Sequence, residues 1–308
     1  MTKLVTTVAC LQLVDRGVLS LDDATLVPKH LPELDAQKIL TYTDEDKEVL
    51  TPRHSALTLR HLLTHTSGLA YPELNECVGR YAKEHGIASS FTMDTDISPF
   101  VVPLLFEPGT RWAYGPRIDW AGSLLERITG QKLSAYFDAN IFAPLGITSL
   151  TFYPTPDINA RELQLCGGDA SGALVHAESM RTLDSAKIQI EIGGAGLVGT
   201  LRDYIHFLRG VLAFKSGAGG GLLSPESFAL RFCSRTLSRP ARTARAITTT
   251  SRRLSGHGSC MTGTRASVTG SASRSMSASP SLAGAPGRAR GAVLPRRITG
   301  SILRPGLL

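Results

Sequence analysis

Residues 1–231 of this 308-residue chain read as a helix-rich α/β (α+β) domain with a few short strands, and residues 232–308 read as a different material. Three observations carry that reading. Apolar side chains recur at helical spacing in several windows, capping residues stand at the ends of those windows, and the composition breaks near Phe232.

The first window holds Leu4, Val8, Leu11 and Val14, a helical stripe that ends at Arg16-Gly17 with glycine as its C-terminal cap. A tight turn and a short extended piece follow over 18–23. Residues 28–56 place Pro28, Pro32 and Pro52 among many charges and read as a surface excursion. Thr58 caps a short helix over 59–64, which stops at Ser67-Gly68, and residues 70–105 read as helix and loop. Glu107-Pro108-Gly109-Thr110 turns the chain into an extended Arg111-Trp112-Ala113-Tyr114. Asp119 starts an amphipathic helix through Trp120, Leu124, Leu125 and Ile128, closed by Gly130. Another covers about 133–142 and stops before Pro144-Leu145-Gly146. After the compact turn Gly193-Gly194-Ala195-Gly196-Leu197, Thr200 caps a helix through Tyr204, Phe207, Leu208 and Val211, with Asp203 completing an acidic capping box. Ser224-Pro225-Glu226 opens one more, with proline in its favoured first position.

Composition separates the two parts. Residues 232–308 hold thirteen arginines and no lysine, aspartate or glutamate, and no aromatic follows Phe232. That segment carries +13, while 20 basic against 26 acidic residues leave −6 on residues 1–231. An arginine-rich arm could bind a polyanion. The lack of lysine and the Ser, Arg, Ala, Gly, Pro and Thr bias fit out-of-frame or mis-joined translation better. Either origin supplies too little apolar surface for a core, so disorder is expected there. Cys10, Cys77, Cys166, Cys233 and Cys260 are scattered, odd in number and never in a Cys-x-x-Cys pair, which suggests neither a zinc site nor a disulfide framework. A reducing, cytoplasmic setting is expected, with no membrane partner and no nucleic acid as native partner of residues 1–231; no segment reaches membrane-spanning length.

Several segments together resemble a known family. His61-Leu62-Leu63-Thr64-His65-Thr66-Ser67-Gly68-Leu69 is similar to the His-Thr-Ser-Gly-Leu signature of class C β-lactamase-like serine esterases and acyltransferases. The stretch Glu107-Pro108-Gly109-Thr110-Arg111-Trp112-Ala113-Tyr114-Gly115-Pro116-Arg117-Ile118-Asp119-Trp120-Ala121-Gly122 resembles their tyrosine motif. Pro144-Leu145-Gly146-Ile147 and the glycine turn at 193–197 come in the family's order. The Thr2-Lys3-Leu4-Val5 start and Asp119-Trp120-Ala121-Gly122 look closest to fungal lovastatin-type acyltransferases (transesterases). The resemblance covers about 1–231 and implies a β-lactamase/transpeptidase-like fold, a helical region packed on an antiparallel sheet, with that sheet incomplete in this chain.

The resemblance also implies chemistry. A serine three residues before a lysine, on one helix face, attacks an ester or thioester; lysine and tyrosine share the base role, and backbone amides hold the oxyanion. The matching positions are Lys3 and Tyr114. Lys3 is otherwise an odd choice for a first helical turn, where the positive end of the helix dipole repels it. Met1 and Thr2 fill the two intervening positions, so the serine would precede Met1. This implies an N-terminally truncated form that is poorly stable and inactive as it stands. The expected partners are a small-molecule ester or thioester acyl donor and a hydroxyl acceptor or water, with a carrier protein as a further candidate. No cofactor and no metal are expected. The alternative is a non-catalytic remnant whose arginine-rich tail binds a polyanion.

Other candidates read as structural. His61 and His65 are four apart but lack a third ligand or a His-Glu-x-x-His pattern. Ser67 fixes a turn rather than a nucleophile elbow. Thr129-Gly130-Gln131-Lys132 is broken by its glycine, and Lys215-Ser216-Gly217 falls too early in the chain for the family's strand motif.

Overall fold

Helix α1 (Thr2–Asp15) is covered on nearly every side, and the rest of the fold is arranged around it. The computed structural model describes residues 1–90, 96–163, 165–176, 185–213 and 221–229. A stripe at Leu4, Val8, Leu11 and Val14 suggests one buried face. Instead Val5, Val8, Ala9, Cys10, Leu11 and Leu13 are all buried, whereas Leu4 and Val14 are only half-buried. Its polar residues face protein too. Thr6 Oγ1 donates to Gly193 O (2.7 Å), and Gln12 Nε2 donates to Asn140 O (3.1 Å) and Leu222 O (3.2 Å). These bonds remove the cost of burying hydroxyl and amide groups. Gly17, at φ +68°, closes the helix as the sequence predicts, with its N–H on Val14 O at 2.9 Å.

Residues 28–56 depart from the surface excursion the prolines suggest. They hold the end of α2 (Leu26–His30), α3 (Pro32–Asp35) and an antiparallel hairpin of β1 (Ile39–Tyr42) and β2 (Glu48–Thr51), registered Leu40 to Leu50 and Tyr42 to Glu48. Leu31 and Leu34 are fully buried, so the charges decorate a segment that anchors through its leucines. Leu40 N and Leu104 N bond to Leu104 O and Lys38 O, both at 2.8 Å, tying the hairpin to the chain before the tyrosine motif.

Helix α4 (Leu59–Leu63) begins at Thr58, whose Oγ1 accepts from His61 N, and α5 (Glu76–Glu84) begins at Asn75. Helix α6 (Arg117–Thr129) starts two residues before the predicted Asp119 and ends at Gly130, φ +67°. It packs on α1, where Cys10 Sγ reaches Ala121 O at 3.8 Å. Trp120 is fully buried with Nε1 donating to Phe100 O at 3.1 Å. Helix α7 (Leu133–Phe137) runs on into a wider turn over Asp138–Phe142, matching the predicted 133–142 span. Then come α8 (Pro156–Ala160), a small hairpin of β3 (Cys166–Gly168) and β4 (Leu174–His176), α9 (Leu201–Leu212) and α10 (Pro225–Phe228). The caps Thr200 and Ser224 are as predicted. Asp203 is not: its carboxylate accepts from Thr148 N (3.1 Å) and Ser149 N (2.8 Å), stapling α9 to the preceding loop rather than closing a capping box. Ser224 and Ser227 donate to the Asp15 carboxylate, which pins α10 to the end of α1.

The described residues hold only these two hairpins and two isolated bridges, so a broad antiparallel sheet is not among them. Cys10 and Cys166 are free thiols, whereas Cys77 is disulfide-bonded, a bond the scattered cysteine spacing did not suggest. No helix among the described residues is long and apolar enough to cross a membrane. The tail at 232–308 and Lys215-Ser216-Gly217 lie outside the described residues.

Candidate active site

Three segments converge at the N-terminal end of α1. The first is α1 itself, with Lys3 in its opening turn and no acidic residue there to offset the helix dipole. The second is the glycine turn at 193–197. Lys3 Nζ donates to Gly194 O at 2.7 Å, so a main-chain carbonyl 191 residues away holds the amine. Thr2 Oγ1 accepts from Leu197 N at 3.1 Å, and with the Thr6–Gly193 bond this fixes the turn against the helix. The third is the extended run before α6, which carries Tyr114.

Lys3 and Tyr114, the two residues singled out from the sequence, come together. Lys3 Nζ lies 5.0 Å from the centre of the Tyr114 ring and 5.8 Å from that of Tyr71. At that range an ammonium is attracted by the ring face. Tyr114 is 42 % exposed, so its ring borders solvent while its inner side faces the amine. The position three residues before Lys3, where the family places its serine, lies outside the chain.

Asp119 forms the floor. It is fully buried on the first turn of α6, and both its oxygens are used: Oδ1 accepts from Gly194 N (2.8 Å) and Oδ2 from Tyr71 Oη (3.0 Å). A carboxylate near a helix N-terminus is favourably placed, but burial dominates and pushes the Asp119 carboxyl above its usual range. Lys3, the Gly194 N–H and the Tyr71 hydroxyl pull the other way. Burial, followed by the Asp119 charge, pushes the Tyr71 phenol well up, which keeps it a hydrogen-bond donor. Glycine is required at 194, because a Cβ there would stand 2.5 Å from Asp119 Oδ1. One buried carboxylate thus holds the N–H of the residue whose carbonyl holds the Lys3 amine.

On the other side of Tyr114 is His65, stacked on its ring at 5.5 Å and 10°, with exposed Trp112 5.7 Å beyond. The fully buried Arg117 guanidinium meets His65 Nδ1 through Nη2. Burial pulls Arg117 down to about 9, against the charges of Tyr71, Tyr114 and Asp119, and it remains a cation at neutral pH.

Lys3 and Tyr114 are legible in the sequence as site residues, whereas Asp119 and His65 stand there within family-like motifs, the first as a helix start and the second as a structural residue. A usable signal was present: Tyr114, Arg117 and Asp119 crowd one loop-to-helix junction where the helix opens with a buried cation and a buried acid. Tyr71 carried no such signal. His61 turns away to Thr58, Nδ1 to Oγ1 at 3.2 Å, and no group of three His, Cys, Asp or Glu among the described residues could hold a metal. Ser67 is buried and its Oγ accepts from Leu69 N at 3.3 Å, a turn-fixing bond. Thr129 and Lys132 are split between the end of α6 and the start of α7 by Gly130.

Comparison with known proteins places the chain in a family. The β-lactamase family profile matches residues 1–296, and the chain belongs to that family. The match runs past the compositional break near Phe232, whereas two curated relatives align over 232 and 237 residues. A lovastatin esterase of Penicillium rubens is 38 % identical over 73 % of this chain and 56 % of its own length. A monacolin J acid methylbutanoyltransferase of Aspergillus terreus is 37 % identical over 75 % of the chain and 55 % of the relative. A mutant simvastatin synthase from Aspergillus terreus superposes with a TM-score of 0.63 at 36 % identity, covering 74 % of this chain and 53 % of that one. The fold is therefore β-lactamase/transpeptidase-like, and the chain spans about half the length of the curated relatives it matches.

Proposed function

We propose that this chain is part of an acyltransferase (transesterase) or esterase that works through a serine acyl-enzyme, in fungal secondary-metabolite biosynthesis. The observation that carries the reading is the approach of the Lys3 amine to Tyr114 at the mouth of the glycine turn. The relatives named as esterase and acyltransferases support it. A serine hydroxyl one helical turn before Lys3 would attack the carbonyl of an ester or thioester, giving its proton to the Lys3–Tyr114 pair. The pair would return the proton to the departing alcohol or thiol, leaving the acyl group on serine. A hydroxyl acceptor or water, losing its proton to the same pair, would then attack the acyl-enzyme. The serine ester bond would break with that proton returning to the serine oxygen, giving the new ester or the free acid. The donor is a small-molecule ester or thioester, with a carrier protein as a further candidate. On their own these 308 residues supply the base pair and contain no Ser-x-x-Lys, so for them alone we infer no acyl transfer by this route.

The test is to express the product of the full-length transcript and incubate it with a thioester donor and an alcohol acceptor. Acyl transfer or hydrolysis that disappears with Lys3→Ala and falls at least about a hundredfold with Tyr114→Phe supports the reading. Turnover indifferent to both substitutions removes it.

A further inference from the structure

The pairing of Arg117 with His65 is the contact that the chemistry above leaves unused. A guanidinium has donors and no acceptor, so the Nδ1 atom that meets Arg117 Nη2 must be the accepting, unprotonated nitrogen. A neutral ring then carries its proton on Nε2, and a doubly protonated ring would set N–H against N–H and one cation against another. We propose that Arg117 locks His65 as the neutral tautomer protonated on Nε2, and that the fixed ring is the shelf that positions Tyr114.

Geometry supports each half. Arg117 is fully buried, and its Nε and Nη1 have no hydrogen-bond partner among the described residues. Its polar contacts run through Nη2, to His65 Nδ1 and, at 3.5 Å, to Gly115 O. Burying a cation with so few partners is costly, and the arrangement that keeps it also orients one imidazole. His65 adopts φ +63°, a left-handed backbone that is uncommon outside glycine, so the turn carries it at some cost in backbone energy. That ring lies within 10° of parallel to Tyr114, whose other neighbours are Tyr71, edge-on at 5.5 Å, and the Lys3 amine. Arg117 and Tyr114 face the imidazole, and behind Tyr114 stand Tyr71, Asp119 and Lys3. A protonated His65 would put an N–H where Nδ1 accepts from Arg117, breaking the contact that orients the ring stacked on Tyr114.

The catalytic importance of the shelf rests on the reading of Tyr114 as a base, but its test needs no acyl substrate, so the two can fail separately. The 308-residue chain is labelled with ¹⁵N-histidine, and His65 is assigned by loss of its signals in His65→Asn, a residue that tolerates positive φ. The expected result is a bare Nδ1 and a protonated Nε2 with no titration between about pH 5 and 8. Arg117→Met should release the ring to titrate near about 6.5, with the Tyr114 ring signals moving in step, and Arg117→Lys, which keeps a donor, should restore the fixed tautomer. A wild-type His65 that carries its proton on Nδ1, or titrates near about 6.5, overturns the lock whatever the variants do. Should Arg117→Met not fold, His65→Asn must still shift the Tyr114 signals. Tyr114 signals unchanged in His65→Asn overturn the positioning role.

Discussion

Lys3 and Tyr114 approach each other from supports of opposite kinds. The lysine rides on a helix buried all round, and its amine ends on a main-chain carbonyl whose own N–H is held by a buried carboxylate. The tyrosine stands on an extended run, 42 % exposed, and is placed by ring faces: His65 on one side and Tyr71 edge-on. Hydrogen bonds in a dry interior fix a distance, whereas stacking fixes a plane and leaves sliding room. The Lys3 side should therefore be tied to the stability of the fold, and the Tyr114 side to function with little effect on stability.

The largest test strikes the frame both sides share. Trp120→Ala empties a fully buried site on α6 and strands Phe100 O, with an expected loss of about 3–5 kcal/mol in urea unfolding. A loss below about 1 kcal/mol would mean that α6 is not the common anchor. Gly194→Ala attacks the Lys3 side alone. Its Cβ would meet Asp119 Oδ1 at 2.5 Å, and displacement of the turn should cost about 1–3 kcal/mol in the same measurement. Thr6→Val keeps the shape and deletes the donor to Gly193 O, for an expected loss of about 1 kcal/mol. At the small end, Tyr114→Phe removes a hydroxyl at the solvent border and should leave stability within about 0.5 kcal/mol of the parent. A loss as large as that of Gly194→Ala would erase the contrast between the two sides.

The sequence shows most clearly what is decided locally. Thr58, Gly17, Gly130, Thr200 and Ser224-Pro225 mark helix ends because a cap is a bond between neighbours in the chain. The threonines of α1 misled a reading by stripes, since their hydroxyls bond inside the protein rather than to water. Pro28 and Pro32 sit in short helices whose buried leucines outweigh the surrounding charge. Lys3 and Tyr114 could be found through the resemblance of their motifs, but not the contacts that hold them. Gly194 lies 191 residues from Lys3 and 75 from Asp119, and Arg117 lies 52 from His65. No local pattern encodes pairings at such separations.

If Lys3 and Tyr114 are arranged around the place of a nucleophilic serine, restoring that serine should restore acylation. The direct measurement is intact-mass detection of an acyl adduct after inserting one serine immediately before Met1 and adding an activated ester. A single adduct on the inserted serine is expected, lost in Lys3→Ala and strongly reduced in Tyr114→Phe, with none on the parent chain. A folded, serine-bearing chain that stays unacylated, or one whose acylation ignores both substitutions, would contradict that arrangement.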